Sequence, residues 1–319
     1  MDLFRSVRAV TGAGASGTGH VDWTAVAEAA KAATEPGALD LSPAERSGYA
    51  SDVRDARERL QAVAGVEFDL PNVVEVQSRH HWIDANVATF ERVLRPLEEA
   101  PAVLPGLARV VNTGTLALLM SFLGKNVLGQ YDPLLLAEAD DREHGLYFVH
   151  PNIRRVAAAL DVDYPRFRRW IAFHEVAHAA EFGAAPWLSD HLERRLEEGL
   201  EAVSGGRFDR EAFTELDATM TAVEGYAELL MDRAFDDDYA DLREKLDRRR
   251  RGGPLVARLA RRLLGLGVKR RQYERGAAFF EAVADARDIH AASRVWDAPE
   301  NLPTEAELDD PARWLARVE

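Results

Sequence analysis

The chain has no cysteine, so disulfides and thiolate metal sites are excluded, and any metal must sit on His, Asp or Glu. Lysine is scarce: four residues among 40 bases, with 36 arginines, against 54 acids and a formal net charge of −14. A nucleic-acid binder carries a basic field, so this balance argues against DNA or RNA as a partner. No stretch approaches the roughly 18 uninterrupted apolar residues that mark a membrane-spanning helix. The start, MDLFRSVRAV, has neither a long apolar core nor an A-x-A cleavage pattern. Together these absences predict a cytoplasmic protein that neither enters a membrane nor binds nucleic acid. What is present is 319 residues, 47 % of them apolar, enough for one sizeable core or two smaller ones.

The periodicity is mainly helical. Residues 22–34 start at an Asp22 N-cap and end before Pro36; residues 42–65 carry Ser42 as cap and Pro43 at the first helical position. Residues 79–100 place Trp82, Val87, Phe90, Val93 and Leu94 at helical spacing. Residues 114–132 are apolar all round and predict a buried helix, broken near Gly124. GLYFVHPNI (145–153) is short, aromatic and β-branched and runs into a proline, which predicts a strand at the edge of a small sheet. Helices resume from Asp163 to about residue 292, with interruptions near 183–186, 205–206 and 248–254. The last 25 residues, with scattered prolines and acids, are expected to wrap the surface.

Two motifs are set aside. GAGASG (12–17) matches G-x-G-x-x-G, but no strand leads into it, the next helix has its own cap at Asp22, and no βαβ alternation follows. The RRRR run (248–251) is flanked by Glu244, Asp247 and a Gly-Gly-Pro turn, and reads as a solvated helix end.

IAFHEVAHAAEF (171–182) carries the chemistry. On a helix, His174 and His178 lie one turn apart on one face, with Phe167, Trp170, Ile171 and Ala177, while Arg168, Arg169 and Ala172 point away. Two core histidines satisfied by local hydrogen bonds would be the plain reading. A pair at i and i+4 with Glu175 after the first can instead hold one tetrahedral zinc ion, the glutamate reaching a water on the metal as general base. The pattern H-E-x-x-H-x-x-G-x-x-H does not supply a third ligand, because Glu181 stands at the glycine position and Ala184 at the last histidine. Asp190 and His191 follow in an expected loop without a supporting pattern. TAVEGYAELLMDRAF (221–235) is the better source. It stacks Glu224 and Glu228 on a helix face shared with Phe213, Met220, Ala227, Met231 and Phe235. Pairing with arginines is the alternative for these acids. As a metal site, Glu224 is the third ligand and Glu228 accepts the N–H of a ligand histidine.

HEVAH followed some 45 residues later by EGYAE resembles the gluzincin pattern, in which a glutamate on a second helix completes a zinc site. RHHWIDANVATF (79–90), VLGQYD (127–132), LYFVHPNI (146–153), FHEVAHAAEF (173–182), VEGYAE (223–228) and RQYERGAAFF (271–280) together resemble the zincin-like metallopeptidase type 2 family. Some members of that family carry a label of association with biosynthesis of a deazaflavin coenzyme. The resemblance implies a mainly α, zincin-like metallopeptidase fold with a small edge β-sheet beside the active-site helix. It implies zinc on His174, His178 and Glu224, with Glu175 as base and LYFVHPN as the strand along which an extended substrate pairs. The expected division is an N-terminal helical lobe, 1–135, and a zincin-like metal-binding lobe, 136–319, or one continuous domain.

The expected reaction is hydrolysis of a peptide: zinc activates water, Glu175 takes its proton, and a further donor stabilises the oxyanion. Tyr273, Tyr226 and His150 are the candidates for that donor, each with a structural role as the alternative. The rival functions are a zinc hydrolase of a small amide or ester, and a non-catalytic zincin-fold scaffold in which Glu175 is dispensable. No other cofactor is expected, and the sequence leaves oligomeric state open.

Overall fold

The computed structural model describes residues 20–64, 68, 71, 73–95, 105–132, 145–204, 209–235, 239–251 and 266–318. They are mainly helical, around one three-stranded sheet. The first helices start where their caps dictate. Asp22 accepts the Ala25 N–H ahead of α1 (Trp23–Ala32). Ser42 and Glu45 exchange side-chain-to-backbone bonds at the start of α2 (Pro43–Ala64), a reciprocal cap that satisfies two otherwise orphaned amides. β1 (Val73–Gln77) leads into α3 (Arg79–Val93), capped by Ser78. α4 (Pro105–Asn126) is followed by β2 (Gly129–Asp132) and β3 (Gly145–Val149).

The sheet order is β1-β3-β2, with β3 parallel to β1 and antiparallel to β2. Two sequence expectations change here. The segment 145–153 is the central strand and not an edge, and it stops at Val149. His150 already opens α5 (His150–Leu160), with Pro151 in the first turn, where a missing N–H costs no hydrogen bond. The proline that looks like a strand stop is a helix start. The helix read through residue 132 ends at Asn126, because pairing of 129–132 with β3 outweighs the local helical pattern. Nor is α4 buried all round: Leu118 is 72 % exposed and Val111 56 %.

The rest is helical: α6 (Tyr164–Ala184), α7 (Leu188–Ser204), α8 (Arg210–Ala234), α9 (Tyr239–Arg251), α10 (Leu266–Ala286), α11 (Ile289–Ser293), and the short α12 (Glu305–Leu308) and α13 (Pro311–Val318). A large apolar cluster joins α2, β3, α5, α6, α8 and α10. A smaller one joins α1, α3 and α4 through Val26, Trp82, Ile83 and Met120, and Val149 of β3 belongs to it. α2, which precedes residue 135, packs in the large cluster with α6. The C-terminal residues do not wrap the surface. Trp296, Leu308, Trp314, Leu315 and Val318 are buried in the large cluster, and Trp314 Nε1 donates to the Asn301 carbonyl at 2.7 Å. Behind the site, α8 and α10 touch backbone to backbone: a Cβ on Gly276 would lie 2.2 Å from the Thr221 carbonyl oxygen, and one on Gly225 2.3 Å from the Gly276 carbonyl carbon. Among the described residues no helix is long and apolar enough to cross a membrane. The GAGASG segment and the side chains of the arginine run fall outside the described residues.

Candidate metal centre

α6 begins at an Asp163 cap, with Pro165 in its first turn. It is buried on nearly every side. Arg168 and Ala172, expected to face outward, are buried, because α2 packs along that flank. Arg168 pairs there with Asp52 at 2.6 Å and lies over the Tyr49 and Tyr164 rings. On the opposite side Trp170 stacks on His174, with ring centroids 5.7 Å apart and planes at 9°. His174 and His178 follow one turn apart, centroids 4.7 Å apart.

α8 brings Glu224 to them. Its Oε2 is 3.9 Å from His178 Nε2, and one nitrogen from each histidine and one Glu224 oxygen all lie within 4.8 Å of one another. Donors bound tetrahedrally to zinc sit roughly 3.3–3.5 Å apart, so small side-chain shifts would close the set on one ion. The electrostatics fit a cation. His178 presents Nδ1 to Glu181 Oε2 at 2.9 Å and Nε2 to Glu224. Burial would lower the His178 pKa, yet the Glu181 hydrogen bond and the charges of Glu181, Glu224 and Glu175 outweigh it and raise it to about 9 in the metal-free protein. Those carboxylates hold positive charge at this point, and two imidazoles with one carboxylate are a donor set suited to zinc.

Glu175 is buried beside the pair. Its Oε2 accepts the Tyr131 N–H from the outer edge of β2 at 2.9 Å, and Gly129 of that strand lies directly against its carboxylate. Sequence reading missed this contact because VLGQYD was placed on a helix. Glu228 pairs through Oε1 with Arg243 at 2.9 Å, and the carboxylate on the Nδ1 of His178 is Glu181. Spacing alone offered that residue, at i+3 from His178, although the motif comparison had weighed it only as a replaced glycine.

Asp190 and His191 are helical, in the first turn of α7, and not in a loop; His191 Nε2 faces Thr219 Oγ1 at 3.4 Å. Of the three candidate oxyanion donors, Tyr226 points its hydroxyl at Ser293 Oγ at 2.7 Å. His150 Nδ1 lies between the Tyr49 and Tyr164 hydroxyls at 3.1 and 3.2 Å. Tyr273 is in α10, its side chain outside the described residues. A cavity of about 1220 Å³ opens between α7, α8 and residues 299–306, lined by Arg194, Glu215 and Thr219 among others; His174, Glu175, His178 and Glu224 are not in its walls.

The model of the zincin-like metallopeptidase family matches residues 21–208 and 206–315. The chain belongs to this family. Among solved structures, the zincin-like chain is similar to a protein titled "putative hydrolase with a novel fold" from Chloroflexus aurantiacus. The two are 32 % identical, with a TM-score of 0.77 over 93 % of this chain and 98 % of that one. No curated protein matches. Family and neighbour together support a hydrolase, and the mainly helical fold with its small sheet fits the family.

Proposed function

We propose that this protein is a zinc-dependent metallopeptidase, with His174, His178 and Glu224 as metal ligands and Glu175 as general base. The observation that carries it is the convergence of three ligand atoms from α6 and α8 within 4.8 Å, with the buried Glu175 carboxylate on the next residue. Zinc held by these three residues would supply Lewis acidity towards a carbonyl and a water. The chain's own groups do the rest. Each histidine offers a nitrogen lone pair, and Glu224 one oxygen. Glu175 lies about 100° round the helix from His174, at the side of the ligand face, and takes a proton at its carboxylate. The Tyr131 N–H aims that carboxylate.

A peptide substrate fits the sheet. β3 is paired on both sides, so the strand-pairing role expected of LYFVHPN passes to the outer edge of β2, next to Glu175. Hydrolysis of a small amide or ester is the second reading, favoured by one observation: the Tyr131 N–H on that edge is already engaged by Glu175. On either reading the acidic, cysteine-free chain works in the cytoplasm, on neither nucleic acid nor membrane. The test is Glu175→Gln, screened beside the parent on peptides and small amides. It should keep one zinc per chain by elemental analysis and lose turnover. Parental turnover in the variant would refute the assignment.

A further inference from the structure

We infer that Glu181 is a positioning residue for this centre: its carboxylate holds the His178 imidazole with the proton on Nδ1, so that Nε2 is the atom offered to the metal. The inference rests on the reading of His174, His178 and Glu224 as metal ligands. Glu181 follows His178 by three residues on α6, so the two side chains meet one turn apart. Glu181 is fully buried, and its Oε2 lies 2.9 Å from His178 Nδ1. Among the described residues its ion-pair partner is this histidine and no arginine or lysine.

A carboxylate can only accept here, so the shared hydrogen belongs to Nδ1. Nε2 is then the nitrogen left for a metal ion, and it faces Glu224 Oε2 3.9 Å away. The orientation that satisfies Glu181 is therefore the orientation that makes a metal ligand of His178. A histidine ligand commonly donates its second N–H to a carboxylate, which fixes both tautomer and ring plane. Glu228 has its Oε1 on Arg243, whereas both atoms of the Glu181–His178 contact lie on one rigid helix. Glu181 is also a buried charge, and a cation one imidazole away offsets its cost.

The full-length chain tests this with zinc alone as probe. Competition against a chelator should show Glu181→Leu binding zinc about 10–100-fold more weakly than the parent. Glu181→Gln, which keeps an acceptor oxygen, should recover most of that loss. Nitrogen-15 NMR of the zinc-loaded parent should show His178 protonated at Nδ1, and this decides the matter even if the leucine variant does not fold. Parental zinc affinity in Glu181→Leu, or a His178 bound through Nδ1, would overturn the inference. A parent that binds no zinc would instead overturn the metal centre on which it rests.

Discussion

A methyl group added at residue 129 tests how Glu175 is held. On the Gly129 backbone a Cβ would stand 2.5 Å from Glu175 Oε1, 2.6 Å from its Cγ and 2.8 Å from its Cδ, where ordinary contact begins at 3.4 Å. Something must yield by nearly 1 Å. The obstacle is the end of a flexible side chain and not backbone, so the strand keeps its place and the carboxylate moves. The fold loses little, because replacing glycine by alanine at a tolerated backbone conformation gains about 0.4–1 kcal/mol through the unfolded chain. The cost falls on geometry: the Tyr131 N–H bond to Oε2 is broken or lengthened, and a misplacement of about 1 Å in a reacting group costs roughly 100-fold in rate. Gly129→Ala should therefore keep its zinc and its melting temperature, and lose about two orders of magnitude in kcat on whichever peptide or amide the parent cleaves. Glu175→Gln sets the floor for comparison. Turnover within threefold of the parent would show that Glu175 does not work from the β2 edge. Loss of zinc in Gly129→Ala would mean that β2 supports the ligands and not the base.

Gly276→Ala is the contrasting case: its Cβ would meet the Thr221 carbonyl oxygen at 2.2 Å, backbone against backbone. α8 and α10 must part, at a cost of about 1–3 kcal/mol for overpacking. The melting temperature should fall, and zinc content with it as Glu224 is carried away; an unchanged melt would refute this. Glu224→Ala should lose zinc by elemental analysis while Asp190→Ala keeps it, and the reverse result would reassign the third ligand. His150 gives a pH dependence. Burial is the main cause lowering its pKa from 6.5, with Arg154 and Arg168 adding to it and Glu45 opposing. The unfolded chain then binds the proton first as pH falls, so the contribution of neutral His150 is intact above pH 6.5 and is lost as pH drops through its lower folded value. Urea midpoints of the parent should decline faster between pH 7 and 5 than those of His150→Asn, and parallel declines would refute it.

The parts of this structure that sequence reveals are those governed by short-range physics. Helical period places His174 and His178 on one face and Glu224 on another helix, because ligand and core positions follow the same 3.6-residue repeat. Caps such as Asp22, Ser42 and Asp163 announce their helices, since each satisfies amides that the helix itself cannot. Most of the failures are tertiary. Residues 127–132 continue the apolar run of the preceding helix, and pairing with β3 makes 129–132 a strand. Arg168 has the polarity of an outer-face residue, and only a partner 116 positions away, Asp52, explains its burial. The C-terminal tryptophans sit among prolines and acids that suggest surface, and only the packed core shows where Trp296 and Trp314 go.

The same division runs through the candidate metal centre. Its proposed ligands lie on two helices that the large core clamps together, α6 against α2 and α8 against α10. The proposed base differs. Glu175 is oriented from outside this helical frame, by a four-residue strand whose position depends on a sheet of only three strands. Ligand geometry should therefore survive perturbations of the sheet that disable the base, whereas perturbations of the α8–α10 contact should remove metal and base function together. Gly129→Ala and Gly276→Ala separate these two supports. If both variants lost zinc in proportion to activity, the sheet and the helices would form one cooperative support, and the independent role assigned to β2 would fall.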